Sequence, residues 1–340
     1  MKRAGNLYTL IANEASLLAA YKQACIGKRS HRAAFEFYKN LGGNIANLLA
    51  ELRTGSYTPK PCNRFWVNER KKARLIEAPA FRDLVVQHAV YAAIAPVLER
   101  KYIDTSFACR IGKGTHKAAD WAQQMMRFAP RTAWTLHVDV RKFFYSIDRQ
   151  TLRALLARHI KCQRTLGLLA LFSHRPESTG IPIGNLLSQT FANVYLNSLD
   201  QFCKRSLALK WYGRYMDDSV MLVRSRLHGL DVLAQITIHL AALGLSISHH
   251  SLQPIKRGIN FVGYRTWASA RFVRQSLVSA IRSDARRGRL VPLVSRLGCA
   301  LRTCSHTPLV RYIQEHHHAI FDRLPQSHFP RNHHCASPAA

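Results

Sequence analysis

Asp217 and Asp218 are the only adjacent pair among the 19 acidic residues of this sequence, and they lie between Tyr215-Met216 and an apolar run at 220–223. Two carboxylates held side by side repel, and they destabilise the turn that carries them unless a cation neutralises the charge. A plain surface turn with two Asp is the alternative. Asp139 weighs against it. Trp134, Leu136 and Val138 alternate with Thr135, His137 and Asp139 in the manner of a strand ending near Asp139. Three carboxylates from two strands could hold two divalent ions ~3.5 to 4 Å apart, an arrangement suited to in-line phosphoryl transfer. All-oxygen ligands favour Mg²⁺, with Mn²⁺ as a substitute.

The elements that must position these carboxylates are legible in outline. Residues 211–223 read as two short strands meeting in a tight turn around 216–218. Asp148 precedes a helical run at 152–160 and is predicted to be its N-cap. Apolar residues at helical spacing cover 7–24 and a second stretch through Leu52. Residues 64–76 alternate as a hairpin, and Val86, Ala89, Val90, Ala93, Ile94 and Val97 recur as a helix that Pro96 would kink.

At 340 residues, 47% of them hydrophobic, the chain can build two to three cores of ~150 residues each, which excludes disorder as the default. Lys and Arg number 50 against 19 acids, a net charge of +31 that a polyanion would relieve. Residues 265–311 hold ten Arg and one acid, Asp284. Arg282, Arg286 and Arg289, at i, i+4 and i+7, are predicted to share a helix face that grips a nucleic-acid backbone; a solvated face is the alternative. Arg110 and Lys113 lie in a segment flexed by Gly112 and Gly114 that could approach phosphates closely; a plain loop is the alternative. The eight Cys form no CxxC and read as reduced thiols, and the His and Cys near the C-terminus fit no common zinc spacing. Trp66, Tyr264 and Trp267 are expected in the core, with base stacking as the alternative. No apolar run of ~18 residues occurs and the first residues are not those of a secretory leader, so the expectation is a cytoplasmic protein without membrane partners.

Tyr215-Met216-Asp217-Asp218, with Asp139 in VDVRKFFYSID, resembles the palm of reverse transcriptases. KARLIEAPAFRDLVVQHAV, SFACRIGKGTHKA, GIPIGNLLSQTFANVYLNSLD and INFVGYR follow that family's order. The chain most resembles the reverse transcriptase of a diversity-generating retroelement, from about residue 7 to 270. Most reverse transcriptases carry Gln before the glycine and Pro after the serine of the GIPIGNLLSQ stretch; here Ile183 and Gln189 stand there, the mark of that group.

The resemblance implies an α+β right-hand polymerase fold with an antiparallel palm sheet carrying the three Asp. Its parts would be an N-terminal helical extension (1–55), fingers (56–130), palm (131–265, with a fingers insertion near 150–180), a short helical thumb (266–326) and a disordered tail (327–340). Asp139, Asp217 and Asp218 would hold two Mg²⁺ with the Val140 carbonyl. Lys72 and Arg74 would clasp the dNTP triphosphate, unless they belong to an ordinary basic hairpin. Phe144 would be the steric gate under the deoxyribose, unless it is a core aromatic beside Phe143 and Tyr145. Ile183 and Gly184 would support the nascent pair. Arg110, Lys113, Tyr215, Met216, Arg282, Arg286 and Arg289 would contact template and primer. The implied activity is RNA-directed DNA polymerisation, copying a template-repeat RNA into adenine-mutagenised cDNA for a variable gene region of a bacterial or phage locus. Template RNA, RNA/cDNA hybrid, dNTPs and a small basic accessory protein would be the partners. Rival readings are a retron, group II intron-like or phage-defence reverse transcriptase, and a catalytically idle RNA-binding protein.

Overall fold

The computed structural model describes residues 3–69 and 72–328. It is a mixed α and β chain that divides into two compact units. The first comprises Met1–Arg110, Asp139–Leu207 and Gln235–His249; the second comprises Ile111–Val138, Ala208–Ala234 and His250–Ala340.

In the first unit the apolar N-terminal stretch forms two helices, Leu7–Ile11 and Glu14–Ala24, because Asn13 caps the second by accepting from Ser16 N–H. Arg32–Lys39 and Leu41–Thr54 follow. Arg164 closes the last turn of Leu41–Thr54, donating to the carbonyls of Leu52 and Arg53 at 2.9 and 2.8 Å while stacking on Tyr8. The helix Phe81–Glu99 is the unit's centre, with Val85, Val86, Val90 and Ile94 fully buried. Pro96 falls in its last turn, where the one hydrogen bond it forfeits leaves the helix continuous. The predicted hairpin is present as β1 (Asn63–Glu69) and β2 (Lys72–Ala78), antiparallel, with Phe65 opposite Ile76 and Val67 opposite Arg74.

Four strands, β3 (Trp134–Val140), β4 (Tyr212–Tyr215), β5 (Asp218–Val223) and β6 (Ile247–Pro254), pair in the order β4-β5-β3-β6; β4, β5, β3 as far as Val138 and β6 from His250 onward fall in the second unit. β4 and β5 are the expected antiparallel pair. β7 (Ile259–Phe261), β8 (Tyr264–Thr266) and β9 (Arg271–Val273) make a second antiparallel sheet. Helix was expected from 266 onward. The chain first spends β9 completing this sheet, and helices Gln275–Arg286, Leu290–Ala300 and His306–His316 follow around Ile281, Leu293, Leu297 and Ile313. Residues 329–340 of the expected tail lie outside the described residues. Among the described residues no helix is long and apolar enough to cross a membrane.

Candidate active site

β4 and β5 are joined by a two-residue loop, Met216-Asp217, because Tyr215 pairs with Asp218. Met216 has φ +57°, the left-handed region that such loops usually fill with Gly or Asn. A methionine there costs energy, and the compensation comes from below. Arg214, 1% exposed, donates from Nη1 to the Met216 carbonyl at 2.8 Å. A buried guanidinium thus holds the turn that presents both carboxylates.

Asp218 does not stand alone. His137, on β3, hydrogen-bonds the Asp218 carboxylate through Nε2, and an ionised carboxylate can only accept, so the imidazole N–H donates. The pair is partly buried, with side chains 17% and 24% exposed. Ser219 Oγ, one residue on, donates to the Val138 carbonyl at 3.3 Å.

Asp139 and Val140 belong to the first unit. Asp139 is half-buried, and Ser248 at the start of β6 donates its hydroxyl to the carboxylate Oδ1 and lies 3.2 Å from the Asp139 carbonyl. Among the described residues no three His, Cys, Asp or Glu side chains are gathered as a metal-holding group. By donor type, carboxylates and a backbone carbonyl fit a hard divalent cation.

Elsewhere in the first unit two of the predicted substrate residues, Phe144 and Ile183, are held through their backbone carbonyls. Ile181 N–H donates to the Phe144 carbonyl at 2.9 Å, and Glu77 N–H, on β2, donates to the Ile183 carbonyl at 2.6 Å. Of the aromatic trio, Phe143 is the core residue at 2% exposure, whereas Phe144 and Tyr145 are half-buried. Gly184 has φ +106°, and a Cβ there would lie 2.7 Å from Ile76 Cγ2, so both backbone and space require glycine. Arg74 is exposed on β2; the Lys72 side chain lies outside the described residues. Tyr215 and Met216 are half-buried at the Asp217-Asp218 turn.

Several predicted contacts need correction. Arg110 is not a free phosphate ligand. It is 7% exposed, paired with Glu99 at 2.8 Å, bonded to the carbonyls of Ile103 and Ser106, and stacked over Tyr102. Five donors in a fixed fork satisfy a loop better than they reach solvent. Lys113, half-buried, has partners of its own within the chain. Arg282, Arg286 and Arg289 do not form one helix face, because the helix ends at Arg286 and Gly288 turns the chain at φ +64°. Arg289 instead folds back onto the fully buried Asp284 at 2.7 Å, beside Arg296, and Arg282 stacks over Tyr312. An unpaired buried carboxylate is costly enough to recruit two guanidinium groups, one of them, Arg289, from the stripe predicted to be open. Trp66, expected in the core, is 67% exposed on β1, whereas Tyr264 is buried.

Sequence reasoning missed His137, Arg214 and Ser248. His137 had a signal, since strand alternation puts it on the face of Asp139. Ser248 had none, being 109 residues from its partner.

Residues 59–266, more than half of the chain, match the family described as reverse transcriptase (RNA-dependent DNA polymerase). The group II intron-encoded protein LtrA of Lactococcus lactis subsp. cremoris is 28% identical over 169 residues, which is 46% of this chain and 28% of that protein. The chain therefore matches little more than a quarter of that relative's length. Protein YkfC of Escherichia coli K12 is 24% identical over 297 residues, 73% of this chain and 77% of that protein. A solved telomerase from Candida albicans in complex with a fragment of telomeric RNA is similar with a TM-score of 0.49 and 13% identity, over 78% of this chain and 55% of that one. On the family match, which takes in both predicted aspartate motifs, the chain belongs to the reverse transcriptase (RNA-dependent DNA polymerase) family.

Proposed function

We propose that this chain is the reverse transcriptase of a diversity-generating retroelement, copying a template-repeat RNA into cDNA mutagenised at template adenines. The observation that carries this reading is the 183–189 segment, where Ile183 and Gln189 stand in place of the Gln and Pro of most reverse transcriptases. Ile183 cannot donate a side-chain hydrogen bond near a nascent pair, and such a contact is worth ~0.5 to 1.5 kcal/mol. The net charge of +31 supports a nucleic-acid substrate.

In this reading Asp139, Asp217, Asp218 and the Val140 carbonyl would hold two divalent ions, Mg²⁺ by donor type. When bound, such ions activate a 3′-hydroxyl and neutralise charge on the triphosphate. The chain's own groups do the rest. Arg214 holds the turn, His137 and Ser248 orient two of the carboxylates, and Arg74 and Lys72 clasp the triphosphate. Phe144 excludes a 2′-hydroxyl, Ile183 and Gly184 back the base pair, and Tyr215 and Met216 touch the primer. The parts at 1–55, 56–130, 131–265 and 266–326 serve as extension, fingers, palm and thumb. A small basic accessory protein would be recruited through shared RNA, since two basic proteins repel.

The similarity to LtrA favours a second reading, a group II intron-like reverse transcriptase. Primer extension on a defined RNA template with Mg²⁺ and four dNTPs separates the two. Synthesis by the wild type but not by Asp218→Asn, with errors concentrated at template adenines, supports the first; faithful synthesis supports the second. No synthesis even with the native locus RNA added would leave an idle RNA-binding protein and overturn both.

A further inference from the structure

Glu77 and Arg175 form an ion pair in the first unit with both side chains only 4% exposed, Arg175 Nε lying 2.9 Å from Glu77 Oε2. Arg64, 44% exposed across the hairpin, grips the other oxygen at 2.8 Å. Burying such a pair costs desolvation that mutual attraction repays only where the geometry is excellent, so its presence is weak evidence for stability.

The geometry it controls is specific. Glu77 sends its backbone N–H to the Ile183 carbonyl, while its neighbour Ile76 presses on Gly184. By strand period Ile76 shares a face with Arg74, and Glu77 points to the other face. Gln87 Oε1 accepts from Leu186 N–H at 3.1 Å, fixing the segment's far end. Arg175 also lies over the Tyr145 ring, next to Phe144. Arg64, Glu77, Gln87, Pro182 and Asn185 also line an open pocket of about 570 Å³, which leaves room beside β2.

We infer that Glu77, gripped by Arg64 and Arg175, is a positioning residue for base selection: it braces β2 from behind and fixes how far the Ile183–Gly184 backbone stands from that strand. The inference rests on the proposed role of Ile183 and Gly184 in supporting the nascent pair. Loss of the carboxylate lets that backbone drift by the slack a cavity permits, and discrimination changes without any substrate contact being removed.

The test is the ratio of kcat/KM for incorrect and correct dNTP opposite template adenine, measured on the full chain for the wild type, Glu77→Gln, Arg64→Met and Ile183→Gln, with melting temperatures alongside. Glu77→Gln is expected to change the ratio about fivefold and Arg64→Met about twofold in the same direction, the scale of one directional contact. A purely structural role would lower melting temperature and both rates together and leave the ratio at its wild-type value. If Ile183→Gln moves the ratio and neither brace variant does, the inference is overturned while the role of the segment stands. If Ile183→Gln also leaves it unchanged, the reading of the segment fails and takes the inference with it. Should Glu77→Gln not fold, Arg64→Met, altered at the exposed partner, decides alone.

Discussion

The imidazole Nε2 of His137 on β3 lies against the Asp218 carboxylate on β5, within one unit and partly screened from solvent. A ring that holds one carboxylate oxygen leaves the group oriented and limits the rotamers it can adopt. Outer partners of this kind typically affect metal affinity or activity by 10- to 100-fold. On the proposed role of Asp218 as a ligand to Mg²⁺, His137→Ala is expected to raise the Mg²⁺ concentration for half-maximal primer extension by about tenfold. A titration superimposable on the wild type would show that the imidazole does not support the site.

Phe144 is half-buried while Phe143 fills the core, so the two rings should respond differently to truncation. Phe144→Ala is expected to raise ribonucleotide use relative to dNTP use by about tenfold or more, because a lost steric wall removes discrimination of that order. Phe143→Ala should instead cost about 3 to 5 kcal/mol of stability. Competition between rNTP and dNTP in single-nucleotide extension, with denaturant melts, checks both; flat rNTP use in Phe144→Ala would return that ring to the core.

Asp148 caps the helix Arg149–Ala157, its Oδ1 accepting from Thr151 N–H at 2.7 Å. That bond, ahead of the other contributions, holds its carboxyl below the ordinary value of 3.8. A depressed folded-state pKa contributes stability above 3.8 that is lost as pH falls through the folded value. Asp148→Ala should cost about 1 kcal/mol near neutral pH. The gap between variant and wild type should close in acid, below 3.8. Urea melts at several pH values would reveal a gap that persists in strong acid, which would rule out the charged cap.

Arg110 serves the fold, in contrast to the template contact its sequence context suggests. Arg110→Ala leaves Glu99 and two carbonyls without their donor, and an expected loss of about 2 to 3 kcal/mol follows for a pair whose acid is partly exposed. Affinity for a primer–template, compared in the folded range by fluorescence anisotropy, should stay within twofold, roughly. A steep loss of affinity with unchanged stability would restore the nucleic-acid role.

What residue order settled is local or strongly typed. The β4–β5 turn could be read because strand-like runs flank a short polar segment around the Asp pair, and Asp148 because a short acceptor before a helical run satisfies orphan N–H groups. The hairpin at 63–78 showed through its alternation, although the exposure of Trp66 did not, since alternation marks two faces without saying whether either is covered. The tertiary structure alone decided the partners of charge. Arg110, Arg175, Arg214 and Arg289 are in sequence indistinguishable from the rest of the 50 Lys and Arg that could face a polyanion. In the fold each is bonded within the chain, to Glu99, Glu77, the Met216 carbonyl and Asp284. Their partners lie 11, 98, 2 and 5 residues away. The reason is desolvation: which guanidinium loses water, and so must find an acceptor inside, depends on burial created by distant segments, and sequence spacing carries no record of it.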